Sequence, residues 1–310
     1  HWGIPCEDWL RVVMNRLDPE LFSACFTAWV AEWRPEAIAL IAIDGKTSRR
    51  SHDRSKGRKA LHLVCAWASN ERLVLGQEAV DEKSNEITTI PVLLERLAVK
   101  GALVTIDAIA CNPQIARNIT DAGADYLLAV KDNQPSLKAE MESYFATAAA
   151  AEIETLTQVE KGHGRLETRR HLVCATVDWM SGSHHYPGEP RFPKLKTIGM
   201  VESTVEKAGQ ISAERRFYIS SAALAAPRFA EAVRSHWGIE NRLHWVLDVQ
   251  FKEDQSRLRT GHGAKNMAVV RHFAINLVRR AADRRSIKTR RKLAGWDTDY
   301  LRSLITPSPR

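Results

Sequence analysis

The order of apolar and polar positions divides the chain into two kinds of pattern. In the first half, short continuous aliphatic runs alternate with longer stretches of helical period. Residues 7–34 are of the helical kind: "DWLRVVMNRL", a start signal at Asp18-Pro19, "ELFSACFTAWVAEW", and Pro35 to close the segment. The unbroken run "AIALIAID" (37–44) predicts a buried strand that ends at Asp44-Gly45. "LHLVCAWAS" (61–69) and "RLVLGQEAV" (72–80) flank Asn70-Glu71 and predict a hairpin. A helix follows over 86–101, capped by Ser84 or Asn85 and stopped by Gly101. Next come a strand over 102–108 that also carries an Asp near its end, a helix over 113–123, a strand over 124–130 and a helix over 135–150.

Beyond residue 150 the helical period disappears. Short alternating stretches, "ETRRHLVCATVDWM", "LKTIGMVESTVE" and "AERRFYISS", are divided by a Gly-, Ser-, His- and Pro-rich loop at 181–193. They predict a β-rich insertion over 151–228. Helical patterning returns in "PRFAEAVRSHWGIENRLHWVLDV" and "KNMAVVRHFAINLVRRAADRR". The predicted fold class is α/β, a mixed sheet flanked by helices. Its parts are a helical segment at 1–35, a core at 36–150 and 229–280, the insertion between them, and a basic tail at 281–310. The opening "HWGIPCEDW" lacks a Met and reads as though an N-terminal piece were missing.

One helical stretch carries more than a helix needs. Wound at about 100° per residue, "HWGIENRLHWVLDVQFKED" (236–254) places Ile239, Leu243, Val246 and Leu247 on one face, an ordinary core stripe. Trp237, Glu240, Asn241, His244 and Asp248 fall on the stripe beside it, a placement suited to presenting a carboxylate in a cleft.

Composition alters this picture little, and charge alters it more. Hydrophobic residues at 44% and charged residues at 26% are ordinary for a globular protein. The longest apolar run (37–43) is too short to cross a bilayer, and no leader opens the chain, so no membrane partner is expected and a cytoplasmic location is. Five scattered cysteines, never in a C-x-x-C pair, encode neither a disulfide framework nor a zinc site. The net charge of +8 is clustered: residues 46–59 hold seven Lys/Arg against one Asp, and residues 279–292 hold eight against one. Two such blocks predict a nucleic-acid partner held through its phosphates.

If the strands that carry Asp44 and Asp107 were neighbours, their carboxylates would lie side by side, with Glu240 as a third. Crowded carboxylates repel one another, and hard divalent cations relieve that repulsion. Two such ions would clamp the attacking and leaving oxygens of a phosphodiester. An Asp at a strand end is more commonly a turn residue, so spacing alone leaves both readings open.

The motifs "IAIDGKTSRRSHD", "LHLVCAWASNERLVLGQEAVDEKSNEITTIPVLLERL", "VTIDAIACNPQIARNITDAGADYLLAVKDNQPSL", "KGHGRLETRR", "RFYISS" and "HWGIENRLHWVLDVQFKED" add a family likeness. Together, over about residues 3–280, they resemble the H-repeat-associated (ISAs-type) insertion-sequence transposases, DDE enzymes with an RNase H-like catalytic core. The resemblance implies catalytic and metal-binding roles for Asp44 in "IDGK", Asp107 in "TIDA" and Glu240 in "HWGIEN", with Mg²⁺, or Mn²⁺ as substitute, in a pair of ions. It implies double-stranded DNA as substrate, a possible homodimer on that DNA, and bacterial strand cleavage and transfer at element ends. Lys46, Arg49, Arg50, Lys131, His163 and Arg165 are the candidate phosphate contacts, and Trp237, Asn241 and His244 would face the DNA. Two departures stand out. Ile109-Ala110-Cys111-Asn112 follows the second Asp where the family has Met-Gly-Cys-Gln, and His236 stands where more distant relatives carry an Arg. A nuclease without strand transfer, and a copy that binds DNA without cutting it, remain open alternatives.

Overall fold

Helices α1 (Glu7–Arg16) and α2 (Pro19–Trp33) meet at Asp18, as the start signal predicts. Its carboxylate accepts from the amides of Glu20 and Leu21, and Pro19 takes the first helical position, where no amide is needed. The computed structural model describes residues 5–306 except 36, 82–83, 163, 178–179 and 181–191. His163 and most of the predicted 181–193 loop therefore lie outside the described residues.

Strand β1 (Leu40–Ser48) runs four residues past its predicted end at Asp44. Asp44-Gly45 is no turn, because the antiparallel partner β2 (Leu61–Ala68) stays in register from Ile41 opposite Ala68 to Ser48 opposite Leu61. β3 (Leu73–Val80) completes the expected hairpin. A reciprocal cap between Asn85 and Thr88 starts α3 (Glu86–Arg96), which ends short of the predicted Gly101 stop. β4 (Leu103–Ile106), α4 (Pro113–Asp121), β5 (Asp125–Val130) and α5 (Pro135–Thr147) follow in the expected order.

The alternating block supplies β6 (Glu154–Gly162), β7 (Arg165–Cys174), β8 (Thr197–Lys207) and β9 (Gln210–Ser220). These strands extend the same sheet, in the order β3-β2-β1-β4-β5-β9-β8-β7-β6. β1, β4 and β5 are parallel, while β9 returns antiparallel onto β5. The half formed by β3-β2-β1-β4-β5, with its antiparallel meander and two parallel strands, has the RNase H-like arrangement. β7, β8 and β9 are each buried at one end (toward Cys174, Thr197 and Ser220) and exposed at the other, while β6, at the edge of the sheet, has no buried residue.

A continuous helical rod crosses one face: α6 (Ala226–Gly238), a π-helical turn (Ile239–His244) and α7 (Trp245–Gln250). Ile239, Leu243, Val246 and Leu247 are buried along it, as the wheel predicts. α8 (Gly263–Arg280) packs against α1 and α2. The basic tail also folds, as α9 (Ile287–Trp296) and α10 (Thr298–Ile305). Its Arg290 turns inward to the Asp283 carboxylate (2.9 Å) and the Val278 carbonyl (2.7 Å). Among the described residues no helix is long and apolar enough to cross a membrane, and no disulfide forms.

Candidate active site

The site lies where the sheet loses one of its neighbours. Leu40, Leu103 and Leu127 share a buried cluster with Phe229, Ala232 and Val233 of α6. Every second residue along a strand returns to the same face, so Asp44 and Asp107 lie on the face that α6 covers. β4 pairs with β1 only as far as Ile43 opposite Ile106, so the sheet opens at the two acids. The Thr105 hydroxyl meets His236 Nδ1 at 2.9 Å and ties β4 to α6 beside them.

Glu240 arrives on the π turn, where the Trp245 amide bonds the Glu240 carbonyl five residues back. A π turn inserts one residue into a helix and re-aims what it carries. Asp44, Asp107 and Glu240 thereby line one cleft of about 220 Å³, with Lys131, His236 and Trp237.

Burial pushes the Asp44 carboxyl up to about 7; its bond from the Gly45 amide (2.9 Å) opposes the rise, and the charges of Glu240, Glu86 and Asp107 add to it. His244 Nδ1 lies 3.5 Å from Asp44 Oδ2. Burial holds His244 down at about 3 and His236 at about 4, so both rings are neutral at neutral pH and the His244–Asp44 contact is not an ion pair. Lys131 Nζ lies 3.5 Å from Asp107 Oδ1 and is half-exposed at the cleft.

The donors fit a hard divalent cation in kind. All three are carboxylates, the hard oxygen donors such an ion takes. They are not drawn together, however: among the described residues no three Asp, Glu, His or Cys side chains stand close enough to hold one ion.

The other predicted contacts divide three ways. Arg165, Trp237 and Asn241 line a wider polar groove of about 910 Å³ that adjoins the cleft at Trp237. Arg49 and Arg50 are exposed on the short turn after β1, with Arg49 Nε 3.4 Å from Asp254. Lys46 and His244 are placed otherwise than expected. Lys46 is 9% exposed, and its ammonium faces Asp248 (2.6 Å), Glu253 (3.0 Å) and Asp254 (3.7 Å) rather than the cleft. His244 is buried against Asp44. Both corrections have one cause: the sequence shows a basic run and an amphipathic stripe, but not that the rod lies on β1.

Two further residues escaped sequence reasoning. Glu86, at the first position of α3, bonds His62 Nε2 at 2.7 Å, and the His62 ring meets the Thr47 hydroxyl. A methyl group at Gly45 would collide with the Glu86 carboxylate and lie 2.8 Å from His62 Nε2, so glycine beside Asp44 makes room for this pair. Arg216 of β9 lies over the Trp237 ring, 4.5 Å from its centroid. No local signal marks either, because each depends on a distant element.

Comparison with known proteins places the chain in a family. A family described as "Transposase DDE domain" matches residues 35–277. Relatives from Escherichia coli K12 include the "Putative protein YbfL" and the "H repeat-associated putative transposase YhhI", each 37% identical over 99% of this chain and 82% of theirs. The "Putative transposase YncI" of Escherichia coli O157:H7 is 39% identical over 98% of this chain and 78% of its own. The likeness to the piggyBac transposase in its synaptic complex with hairpin DNA is loose, with a TM-score of 0.42 at 12% identity over 88% of this chain and 55% of that one. With a family match over residues 35–277 and relatives 37% and 39% identical across nearly its whole length, this chain belongs to the DDE transposases.

Proposed function

We propose that this insertion-sequence transposase cuts and joins DNA at the cleft formed by Asp44, Asp107 and Glu240. The observation that carries the reading is convergence. Acids from residues 44, 107 and 240, far apart in the chain, open into one cleft. Asp44, Asp107 and Glu240 would hold divalent cations, Mg²⁺ or Mn²⁺ and two in number. Bound there, the ions supply Lewis-acid stabilisation of phosphate charge and a lowered pKa for water.

The chain's own groups do the positioning. Lys131, the ammonium beside Asp107, neutralises phosphate charge at the cleft wall. His236, neutral and bonded to Thr105, closes the cleft floor without adding charge. Trp237 separates the cleft from the groove that Arg165 and Asn241 line, and DNA runs across both. Arg49 and Arg50 contact phosphates that position the duplex rather than specify its sequence. Joining two element ends calls for two copies of the chain on DNA, in the bacterial cytoplasm.

Labelled duplex carrying the element's end sequences tests the reading, with Mg²⁺, Mn²⁺ or EDTA. Metal-dependent nicking is expected, followed by a joined product, with Asp107→Ala and Glu240→Ala each lowering the rate by about 10³-fold or more. Salt-sensitive binding without cleavage, unchanged by either substitution, would sink it.

A further inference from the structure

Lys46 lies two residues beyond Asp44 on β1, so both side chains leave the strand on the face toward the helical rod. Glu240, His244 and Asp248 recur at four-residue steps along that rod. The two series meet in order: Asp44 with His244 at 3.5 Å, and Lys46 with Asp248 at 2.6 Å. Strand and rod thus touch at two successive rungs, and a single register satisfies both.

The second rung is the stronger. Glu253 is 2% exposed and lies 3.0 Å from Lys46 Nζ, with Arg271 at 3.8 Å from its other oxygen. The Ser48 hydroxyl donates to the Glu253 carbonyl, and the Arg49 amide donates to Asp254. The turn that follows the rod, with Lys252 in the left-handed region (φ 55°), is thereby fastened to the far end of β1. Burying these charges is costly unless they are paired, and the arrangement is more telling about registry than about stability.

We propose that Lys46 is a positioning residue. Its ammonium, caged by Asp248, Glu253 and Asp254, fixes the rod on β1 and so sets where Glu240 stands relative to Asp44. A slip of one helical turn, about 5.4 Å, would break both rungs and carry Glu240 out of the cleft. The proposal rests on the reading that Asp44 and Glu240 act together on a cation.

The test compares the full chain with Lys46→Met and with Lys46→Met/Glu253→Gln, which removes opposite charges together and keeps the cage balanced. The readouts are hydrogen exchange of residues 239–250, Mn²⁺ binding by EPR with Asp44→Ala as the blank, and cleavage of element-end DNA. The double variant is expected to melt as one cooperative unit and bind DNA with unchanged affinity. Its 239–250 amides should exchange faster, and its Mn²⁺ half-saturation should rise about 10-fold or more. A folded double variant with native exchange and native Mn²⁺ affinity overturns the proposal. So does loss of DNA affinity with native exchange, which would return Lys46 to a phosphate contact. If the wild-type chain neither binds Mn²⁺ at Asp44 nor cuts DNA, the functional reading fails, and exchange at 239–250 alone decides whether Lys46 holds the rod.

Discussion

At the scale of single residues, Asp44 couples protonation to stability. Its carboxyl titrates near 3.8 when exposed and near 7 in the fold, so the folded state holds the extra proton between those limits. Stability is therefore lost as pH rises from about 4 to about 7. In EDTA, Asp44→Asn is expected to be more stable than the parent at pH 8, by ~2–4 kcal/mol, and equal to it near pH 3. Denaturant melts at the two pH values measure this, and equal stability at pH 8 would refute it. Added Mn²⁺ should raise the melting temperature of the parent and leave that of Asp44→Asn unmoved. The sequence and the family resemblance together named the three acids. They could not show that Lys46, inside a run rich in exposed cations, spends its charge on Glu253 and Asp254, two hundred residues away.

At the scale of elements, the apolar pattern resolved nearly every strand and helix, because aliphatic runs and caps act locally. It failed where a neighbour decides. β1 outruns its Asp-Gly because β2 continues beside it, and the π turn breaks the 100° wheel that the 236–254 stretch otherwise obeys. That turn has outside support from Arg279 on α8. Its guanidinium donates to the Arg242 carbonyl within the turn and to the Arg72 carbonyl (3.2 Å), and it stacks on Trp67 at 4.5 Å. Burial lowers its pKa to about 9, which is the physical mark of a cation withdrawn from solvent. Arg279 therefore does not belong to the DNA-facing charge that the 279–292 run suggests. Arg279→Met is expected to cost ~1–3 kcal/mol in denaturant unfolding and to slow DNA cleavage, while leaving the salt dependence of DNA binding unchanged.

At the scale of the molecule, the order of strand and helix patterns foresaw an α/β sheet, but nothing local told β5 to accept β9 rather than leave the β-rich block on its own. Exposed cations and caged ones also look alike in a net charge. Arg49 and Lys131 are of the first kind, so Arg49→Ala and Lys131→Ala should each flatten the log-affinity against log-salt slope by about one. Lys46→Met/Glu253→Gln should not change it, and titrations between low and moderate salt separate the cases. The pairing of β5 with β9 also orders how the fold can close during synthesis. Until residues 210–220 leave the ribosome, β5 has a bare edge, and until the rod follows, the two aspartates lack their glutamate. A nascent chain, or one ended before residue 240, thus lacks the complete cleft. On the function proposed above, the order in which the chain emerges is itself a safety catch.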